Sequence, residues 1–322
     1  MSTSKKSVGE EDLVDLAGKV ALVTGGNTGI GYGTIQFLAR KGAKVYMAAR
    51  SESRALAAIK QLESEGINEG SVHWLKTDLS DLRSLKASAE EFKQKENRLD
   101  ILVNNAAIGA VGPYSLDENG LRNVMVVNHL SHFVLTEALL PLLKETARQE
   151  SSDVRIINVT SMAHSRVNVT TFEGKESLNK EYGDTFNGYL DTYGYSKLAN
   201  ILHVKELQSR LDSENVPIIC MAVHPGPVNT VGAKGFLSSV PYIGKLLGGF
   251  LGRMFFTSWR TGAMTSAFAA ASPAVRAKKD LYKGAYLVPI AQVTQPSKCA
   301  LDERLAKELY TTSVEVIKEV GV

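Results

Sequence analysis

Tyr193 and Lys197 are spaced to carry out acid–base chemistry on one oxygen atom. They stand at the two ends of a Tyr-Gly-Tyr-Ser-Lys run, and residues four apart on a helix share one face. A phenol ionises near pH 10, and an ammonium beside it favours the phenolate and lowers that pKa. Such a tyrosine can pass a proton to or from a substrate oxygen near neutral pH, and Ser161 could hydrogen-bond to the same oxygen. Because this spacing is common, the alternative is a half-buried tyrosine with a solvated lysine.

A glycine-rich turn near the start of the chain indicates a dinucleotide site. The β-branched apolar run 20–24 is typical of a buried strand, and a helical pattern follows the turn. The residues of interest between them are Gly25, Asn27, Thr28, Gly29, Ile30 and Gly31. In this context the glycines let the backbone approach a pyrophosphate, and the helix N-terminus supplies free N–H groups. The spacing is G-x-x-x-G-x-G rather than G-x-G-x-x-G, and a ligand-free turn is the alternative.

A sheet must bring these two regions together. Apolar strand-like runs alternate with helical patterns, which predicts an α/β fold with a doubly wound parallel sheet and helices on both faces. We predict about seven strands, at 20–24, 44–48, 72–76, 101–104, 154–159, 218–223 and 285–288. Helices are predicted at 29–41, 53–65, 82–96, 121–145, 193–211 and 258–271. No linker-like stretch divides the chain, so we expect one domain over 18–322 behind a disordered or loosely attached tail over 1–17.

Several motifs occur in the order found in one enzyme family. They are Thr24-Gly25-x-x-x-Gly29-x-Gly31, Asn104-Asn105-Ala106-Ala107, Asn128, Ser161, Tyr193-x-x-x-Lys197 and Pro225-Gly226. Each motif is weak alone, but together they make the chain from about residue 18 to about residue 284 resemble the short-chain dehydrogenase/reductase family, a Rossmann-fold family. The stretches 24–31, 128–133 and 193–200 are most similar to its retinol-dehydrogenase-like and carbonyl reductase branch. Ala107 and Thr160 depart from the family pattern, where a glycine and a serine are usual.

The resemblance implies a catalytic role for four side chains. Tyr193 would be the general acid in reduction and the base in oxidation, and Lys197 would lower its pKa and hydrogen-bond the cofactor ribose. Ser161 would polarise the substrate carbonyl. Asn128 would hold a water in a proton relay to Lys197; it could also be a polar residue that kinks an apolar helix, and the two roles are compatible.

Two further side chains could be taken for an acid or a base. Tyr195 is two residues from Lys197, so it lies off the face of the helix that carries the lysine. His224 precedes a Pro-Gly turn. We interpret it as a hydrogen-bonded histidine at the end of a strand.

The end of the second strand indicates which cofactor is used. In a Rossmann unit an acid at this place holds the ribose 2′-OH of NAD, whereas a basic residue accommodates the 2′-phosphate of NADP. Here Ala49 is followed by Arg50, and a guanidinium can bind a phosphate bidentately. We therefore predict NADP(H), the alternative for Arg50 being a solvated residue at the start of a helix.

The resemblance also implies cofactor contacts further along the chain. They are Asp78 and Leu79 at the adenine, Asn105 and Ala106 at the nicotinamide-side ribose, and Pro225, Gly226, Val228 and Thr230 at the carboxamide. Asp78 could instead cap a helix, although Ser80 or Asp81 is better placed to do so. Asn104 is expected to tie neighbouring strands together.

Two stretches, near 162–192 and 228–256, do not fit the alternation of strands and helices. Both flank the catalytic residues, so we expect them to build the substrate pocket, with 162–192 long enough to be a lid. The apolar stretch 236–256 is a pocket lid, a contact with a membrane or lipid-droplet surface, or plain core or oligomer interface. A large apolar lid predicts a bulky apolar substrate.

Composition narrows the class of protein. With 322 residues, 44% hydrophobic and 22% charged, the chain is typical of a soluble globular protein. A net charge of +3 is too small to indicate nucleic-acid binding. Cys220 and Cys299 lie far apart and have no metal-ligand spacing, so we predict no metal site. A reducing compartment fits two unpaired cysteines, and the polar first eleven residues do not form a signal peptide. We expect a cytoplasmic protein.

The leading interpretation is an NADP(H)-dependent oxidoreductase. It would transfer hydride between the nicotinamide and a bulky apolar ketone or aldehyde, or the matching alcohol. The alternatives are a non-catalytic NADP-binding regulatory protein of the same fold and an epimerase or dehydratase of the same family. The presence of Ser161, Tyr193 and Lys197 together argues against the first, and the second needs further acid or base groups. The oligomeric state stays open, with a homodimer or homotetramer as candidates.

Overall fold

Eight strands form one sheet in the order β3-β2-β1-β4-β5-β6-β7-β8. The computed structural model describes residues 8–110, 114–227 and 258–322. The strands are β1 Val20–Thr24, β2 Lys44–Ala49, β3 Ser71–Lys76, β4 Ile101–Asn104, β5 Val154–Val159, β6 Ile218–Val223, β7 Ala285–Val288 and β8 Gln292–Thr294. Neighbours pair in parallel from β3 to β7, and β8 pairs antiparallel with β7. The predicted fold class is confirmed, with β8 as one strand more than predicted.

Helices cover both faces of the sheet, which is why its central strands are buried throughout. Among the described residues, the helices of twelve or more residues are α1 Gly29–Arg40, α2 Glu52–Glu65, α3 Leu82–Lys95, α4 Ser131–Ala147, α5 Phe186–Ser213, α6 Trp259–Ala271 and α7 Glu303–Glu319. Side chains of α1, α2 and α6 form one core layer. Those of α3, α4, α5 and α7 form the other. The two layers hold the carboxyl ends of β1, β4 and β5 side by side.

The stretch Asn123–Ala147 contains α4 and the turns before it. It is 25 residues long and apolar enough to cross a membrane, but 78% of its apolar window is buried inside the protein. Its apolar side chains face the sheet and the neighbouring helices of the core. We therefore interpret it as a core helix.

The expected loose tail over 1–17 is wrong for its second half. Leu13 and Leu16 are each 5% exposed and belong to the core. The Val14 N–H donates to the carbonyl of Ala271 at 2.9 Å, and the Leu16 N–H donates to that of Lys41 at 2.6 Å. Residues 8–17 are thus part of the domain, because their leucines fill a gap beside α1 and α6.

The stretch 162–192 is anchored to the core at several points, and its predicted role as a lid stays a prediction. It contains a 3-10 helix at Met162–Arg166 and a short helix at Lys175–Leu178, and α5 begins at Phe186 rather than at 193. Phe172 is completely buried, and its backbone N–H donates to the Glu308 carboxylate on α7 at 2.9 Å. The second stretch, 228–256, lies outside the described residues.

Candidate active site

The glycine turn lies between β1 and α1, at the point where the strand order reverses. Gly25 has φ +64°, and a Cβ on it would come within 2.9 Å of Ala106 Cβ. A Cβ on Gly31 would lie 2.5 Å from the Gly25 carbonyl oxygen. The cap of α1, Thr28, makes no side-chain hydrogen bond to the helix, so the first N–H groups are left for a ligand. Ligands of doubly wound folds bind at this switch point.

Thr24 joins three segments at the floor of the site. Its Oγ1 accepts from the N–H groups of Asn105 at 2.9 Å and Ala106 at 3.0 Å. It lies 2.9 Å from His132 Nε2 and donates its own hydrogen there. His132 Nδ1 then donates to the carbonyl of Asn128 at 3.2 Å. Burial lowers the pKa of His132 to about 3, so it stays neutral.

No role of their own was predicted for the side chains of Thr24 and His132. Both lie inside stretches that carried the family resemblance. Thr24 and His132 are 108 positions apart in the chain, so no local sequence pattern relates them.

A missing Cβ lets the helix that carries Tyr193 pack closely against the turn that begins at Ser161. Ser161 comes shortly after β5 and begins the 3-10 helix, whereas Tyr193 is on α5. A Cβ on Gly194 would lie 2.3 Å from the Ala163 carbonyl oxygen. Glycine is therefore required where α5 packs against the turn that follows Ser161.

Lys197 lies one helical turn from Tyr193 and faces the same way. Its Nζ donates to the carbonyl of Val159 at 3.0 Å and lies 5.5 Å from the centre of the Tyr193 ring. Burial lowers the pKa of Lys197 to about 7. The lysine is fixed between the end of β5 and the tyrosine.

The predicted lowering of the Tyr193 pKa is wrong for this structure. Burial raises the pKa of Tyr193 to about 12. Desolvation has the larger effect on this pKa because it destabilises the phenolate. The same burial lowers the pKa of Lys197, so a smaller fraction of the lysine is charged beside the ring. At neutral pH the phenol keeps its proton, which is the form that a general acid requires.

The Ser161 side chain is prepared to donate a hydrogen bond. Its Oγ accepts from the Ala163 N–H at 3.2 Å. Its carbonyl oxygen accepts from His164 twice, from the backbone N–H at 3.1 Å and from Nδ1 at 2.7 Å. The hydroxyl hydrogen has no acceptor among the described residues, so it can bind a substrate oxygen.

Asn128 lies in a π-helical turn, Val126–Leu130, just before α4. Its Oδ1 accepts from the Ile108 N–H at 2.8 Å, and its Nδ2 donates to the Ile108 carbonyl at 3.0 Å and to Ser196 Oγ at 2.9 Å. Ser196 Oγ in turn donates to the carbonyl of Tyr193 at 2.8 Å. Asn128 therefore lies at an irregularity in an apolar helix and braces the backbone at Tyr193. The water relay stays a prediction.

One cleft contains most of the predicted cofactor residues. It is lined by Gly25, Asn27, Thr28, Gly29, Ile30, Asn105, Ala106, Ala107, Val159, Thr160, Tyr193, Lys197 and Pro225. Of these, only Ala107, Val159 and Thr160 were not predicted to contact the cofactor. Thr160 Oγ1 donates to the carbonyl of Lys197 at 2.7 Å, so the residue that departs from the family pattern helps to hold α5 in place.

Other predicted cofactor residues do not line this cleft. Arg50 is exposed immediately after β2, beside the carboxyl end of β1. Asp78 accepts from the N–H and the hydroxyl of Ser80 at 3.0 and 2.6 Å. Leu79 packs against the core. Gly226 has φ +86° in the turn after β6.

Asn104 and the cap of α3 match their predicted structural roles. Asn104 Nδ2 donates to Asn158 Oδ1 at 2.9 Å and so ties β4 to β5. Asp81 caps α3, and the adenine contact of Asp78 stays a prediction. Val228 and Thr230 lie outside the described residues.

The two rival acid–base candidates have structural partners instead. The Tyr195 hydroxyl donates to the carbonyl of Ser177 at 2.5 Å, and its ring stacks on Phe172 at 5.0 Å. His224 Nδ1 accepts from the Gly226 N–H at 3.4 Å, and burial lowers its pKa to about 4. Neither side chain lines the cleft.

The cleft fits a dinucleotide. Its glycines leave no room for side chains, its helix terminus offers N–H groups, and its far end carries a phenol and an amine. Phosphates, ribose and a reacting carbonyl group would each find matching partners in that order.

Comparisons with known proteins agree with this arrangement. The family model described as short chain dehydrogenase matches residues 19–172. A short-chain dehydrogenase/reductase of Armillaria gallica is 44% identical over 319 residues, which is 99% of this chain and 99% of that protein. Retinol dehydrogenase 12 of Mus musculus is 36% identical over 311 residues, 94% of this chain and 88% of that protein. The crystal structure of an uncharacterized protein from Mycobacterium Paratuberculosis has a TM-score of 0.71 at 29% identity, covering 97% of this chain and 98% of that chain.

Proposed function

The chain belongs to the short-chain dehydrogenase/reductase family of oxidoreductases, with similarity to its retinol-dehydrogenase-like branch, and we propose that it is an NADP(H)-dependent carbonyl reductase. It transfers hydride from the nicotinamide to a bulky apolar ketone or aldehyde. In the reverse direction it takes hydride from the matching alcohol. Tyr193 is the general acid and base.

The arrangement of Tyr193 and Lys197 in the cleft, with Ser161 just after β5, carries this proposal. Tyr193 and Lys197 line the cleft itself, and Ser161 follows the strand end at which Lys197 is fixed. A protonated phenol and a free hydroxyl hydrogen are two donors for one substrate oxygen. A protein that only bound the dinucleotide would have no use for both.

The residues divide the work of carbonyl reduction. The bound cofactor supplies the hydride. Ser161 donates a hydrogen bond to the carbonyl oxygen, and Tyr193 transfers its proton to that oxygen as negative charge develops on it. The phenolate left behind favours the charged form of Lys197, because opposite charges a few ångströms apart stabilise each other. Proton uptake at Lys197, with its pKa near 7, therefore offsets the charge on Tyr193.

Arg50 is the basis for proposing NADP(H) over NAD(H). It is exposed at the end of β2 and Ala49 beside it has no carboxylate, so a 2′-phosphate meets a cation and no repulsion. The substrate class rests on the apolar composition of 236–256. The protein is proposed to work in the cytoplasm, with that stretch as a candidate contact for a membrane or lipid-droplet surface.

The test is the consumption of NADPH by the purified protein with a panel of ketones and aldehydes of increasing size. Tyr193→Phe removes the transferable proton and keeps the ring, so NADPH should still bind while turnover falls by about 10²-fold or more. Tyr195→Phe is the matched control on the same helix. It removes the hydrogen bond to Ser177, so it should cost stability of about 1 kcal/mol and leave turnover nearly unchanged.

Two results would contradict the proposal. Equal turnover in the two tyrosine variants would remove Tyr193 from the chemistry. NADPH binding without turnover of any carbonyl or alcohol would favour the regulatory alternative.

A further inference from the structure

His164 links the turn that carries Ser161 to a distant part of the chain. It is 2% exposed and lies in the 3-10 helix Met162–Arg166. Its Nδ1 is 2.7 Å from the Ser161 carbonyl oxygen, and its Nε2 is 3.0 Å from the backbone nitrogen of Ser297. The ring also meets the edge of Tyr286 on β7, with centres 5.1 Å apart. Three separate segments therefore converge on this imidazole.

These partners assign the tautomer of His164. A carbonyl oxygen can only accept, so Nδ1 carries the hydrogen, and a backbone N–H can only donate, so Nε2 is the acceptor. The Ser165 hydroxyl, 3.3 Å from Nε2, is a second and weaker donor. Burial lowers the pKa of His164, which keeps the ring in this neutral form at pH 7.

The hydrogen bond from His164 acts on the orientation of Ser161. The Ser161 carbonyl, fixed by His164, sets the peptide plane that leads into the turn. The N–H of Ala163, one peptide further on, holds Ser161 Oγ at 3.2 Å. A rotation of the first peptide plane would move this N–H and release the hydroxyl from its present direction.

We propose that His164 is a positioning residue, which holds the Ser161 turn against the Ser297 segment so that the Ser161 hydroxyl points at the substrate oxygen. The inference rests on the proposed function, since it concerns the hydrogen bond that Ser161 gives in that reaction. His164 itself would touch neither the substrate nor the cofactor.

Two variants separate the two hydrogen bonds of the ring. In His164→Asn the amide nitrogen takes the place of Nδ1, so it can still donate to the Ser161 carbonyl but no longer reaches Ser297. In His164→Gln the amide oxygen takes the place of Nε2, so it can accept from Ser297 but leaves the Ser161 carbonyl without its side-chain donor. We expect kcat close to the wild-type value for the first variant and about tenfold lower for the second, the usual worth of one hydrogen bond.

The Michaelis constant for NADPH and the binding of NADPH should stay the same in both variants, because His164 does not line the cofactor cleft. A residue that served stability alone would affect unfolding in both variants and would not separate their kcat values. Equal kcat values for the asparagine and glutamine variants would overturn the proposal.

A second pair of variants avoids any change in the catalytic turn. Ser297 has φ −60°, which proline adopts without strain. Ser297→Pro removes the N–H that binds His164, whereas Ser297→Ala keeps it and serves as the control. Without this donor the imidazole can carry its hydrogen on Nε2 and stop donating to the Ser161 carbonyl, which an asparagine amide at position 164 cannot do. We therefore expect a lower kcat in the proline variant only, and equal kcat values in the proline and alanine variants would count against the link.

A spectroscopic measurement tests the contact without any activity. The ¹⁵N chemical shifts of the His164 imidazole in the wild-type protein should be those of a neutral ring with its hydrogen on Nδ1. A hydrogen on Nε2, or a charged ring at pH 7, would overturn the assignment. Wild-type protein that turns over no carbonyl refutes the proposed function and removes this role with it, whereas an active wild type with unaffected variants refutes the role of His164 alone.

Discussion

The buried Lys197 should lower the free energy of unfolding of the protein at neutral pH. The side chain is 1% exposed, and the carbonyl of Val159 is its hydrogen-bond acceptor. Burial brings its pKa from 10.5 to about 7. Between these two values the unfolded chain binds a proton that the native protein does not, so the free energy of unfolding rises with pH across this window.

The size of this effect follows from the two pKa values. At about 1.36 kcal/mol per pH unit, the whole window corresponds to about 5 kcal/mol. Between pH 7 and pH 9 alone, where the native lysine loses its remaining proton, the increase is about 2 kcal/mol. Tyr193 acts in the other direction, because its raised pKa stabilises the native state below pH 10 and this contribution is lost as pH rises towards 12. Its effect therefore lies above the pH 7–9 range.

The experiment compares wild-type protein with Lys197→Met, which keeps much of the length and removes the charge. Urea unfolding is followed at pH 7 and pH 9 by tryptophan fluorescence, in reducing buffer. Other titrating groups contribute equally to both proteins, so they cancel in the difference between the two. We expect the wild type to gain about 2 kcal/mol relative to the variant between pH 7 and pH 9. If the free energies of unfolding of the two proteins changed equally between pH 7 and pH 9, the low pKa of Lys197 would be refuted.

Two further predictions concern the cofactor and the substrate. Arg50→Ala should raise the Michaelis constant for NADPH by about 10- to 100-fold, the loss of one charge-assisted hydrogen bond, and leave that for NADH nearly unchanged; equal kinetics with both cofactors in the wild type would remove the basis for this. Deletion of 237–252 should leave NADPH binding intact and abolish the preference for bulky apolar carbonyls, because small polar carbonyls cannot gain from apolar contact. If the deletion releases the protein from liposomes without changing its preference for substrate size, the membrane contact is favoured. If it changes neither liposome binding nor size preference, the stretch 236–256 serves as plain core or oligomer interface.

The parallel part of the sheet could be predicted because each of its strands is marked locally. Buried strands read as apolar, β-branched runs between turn residues, and β1, β4, β5, β6 and β7 have the predicted bounds. The strand β8 was missed because Gln292–Thr294 is short and exposed on every residue. Helix α7 was missed although its sequence carries a signal, since Leu305, Leu309 and Val316 recur at helical spacing on the buried face.

Contacts between distant residues could not be predicted from local patterns. The stretch 162–192 was predicted as a lid because it is longer than an ordinary loop, and its length gave no sign that Glu308, more than 130 residues away, binds both Thr171 and Phe172. The link between Thr24 and His132 and the link between His164 and Ser297 are of the same kind. The glycine turn and the Tyr193–Lys197 pair were found because each lies within one short motif.

The error in the pKa of Tyr193 has a different cause and bears on the direction of the reaction. A spacing of four residues shows that two side chains share a face, but it does not show how much water reaches them. With a pKa of about 12, Tyr193 holds its proton at neutral pH, so the proposed carbonyl reduction would begin from the form that is present. The proposed alcohol oxidation would begin from the phenolate, which the same burial disfavours at neutral pH. The burial that raises the pKa of Tyr193 therefore favours reduction as the direction of the proposed reaction.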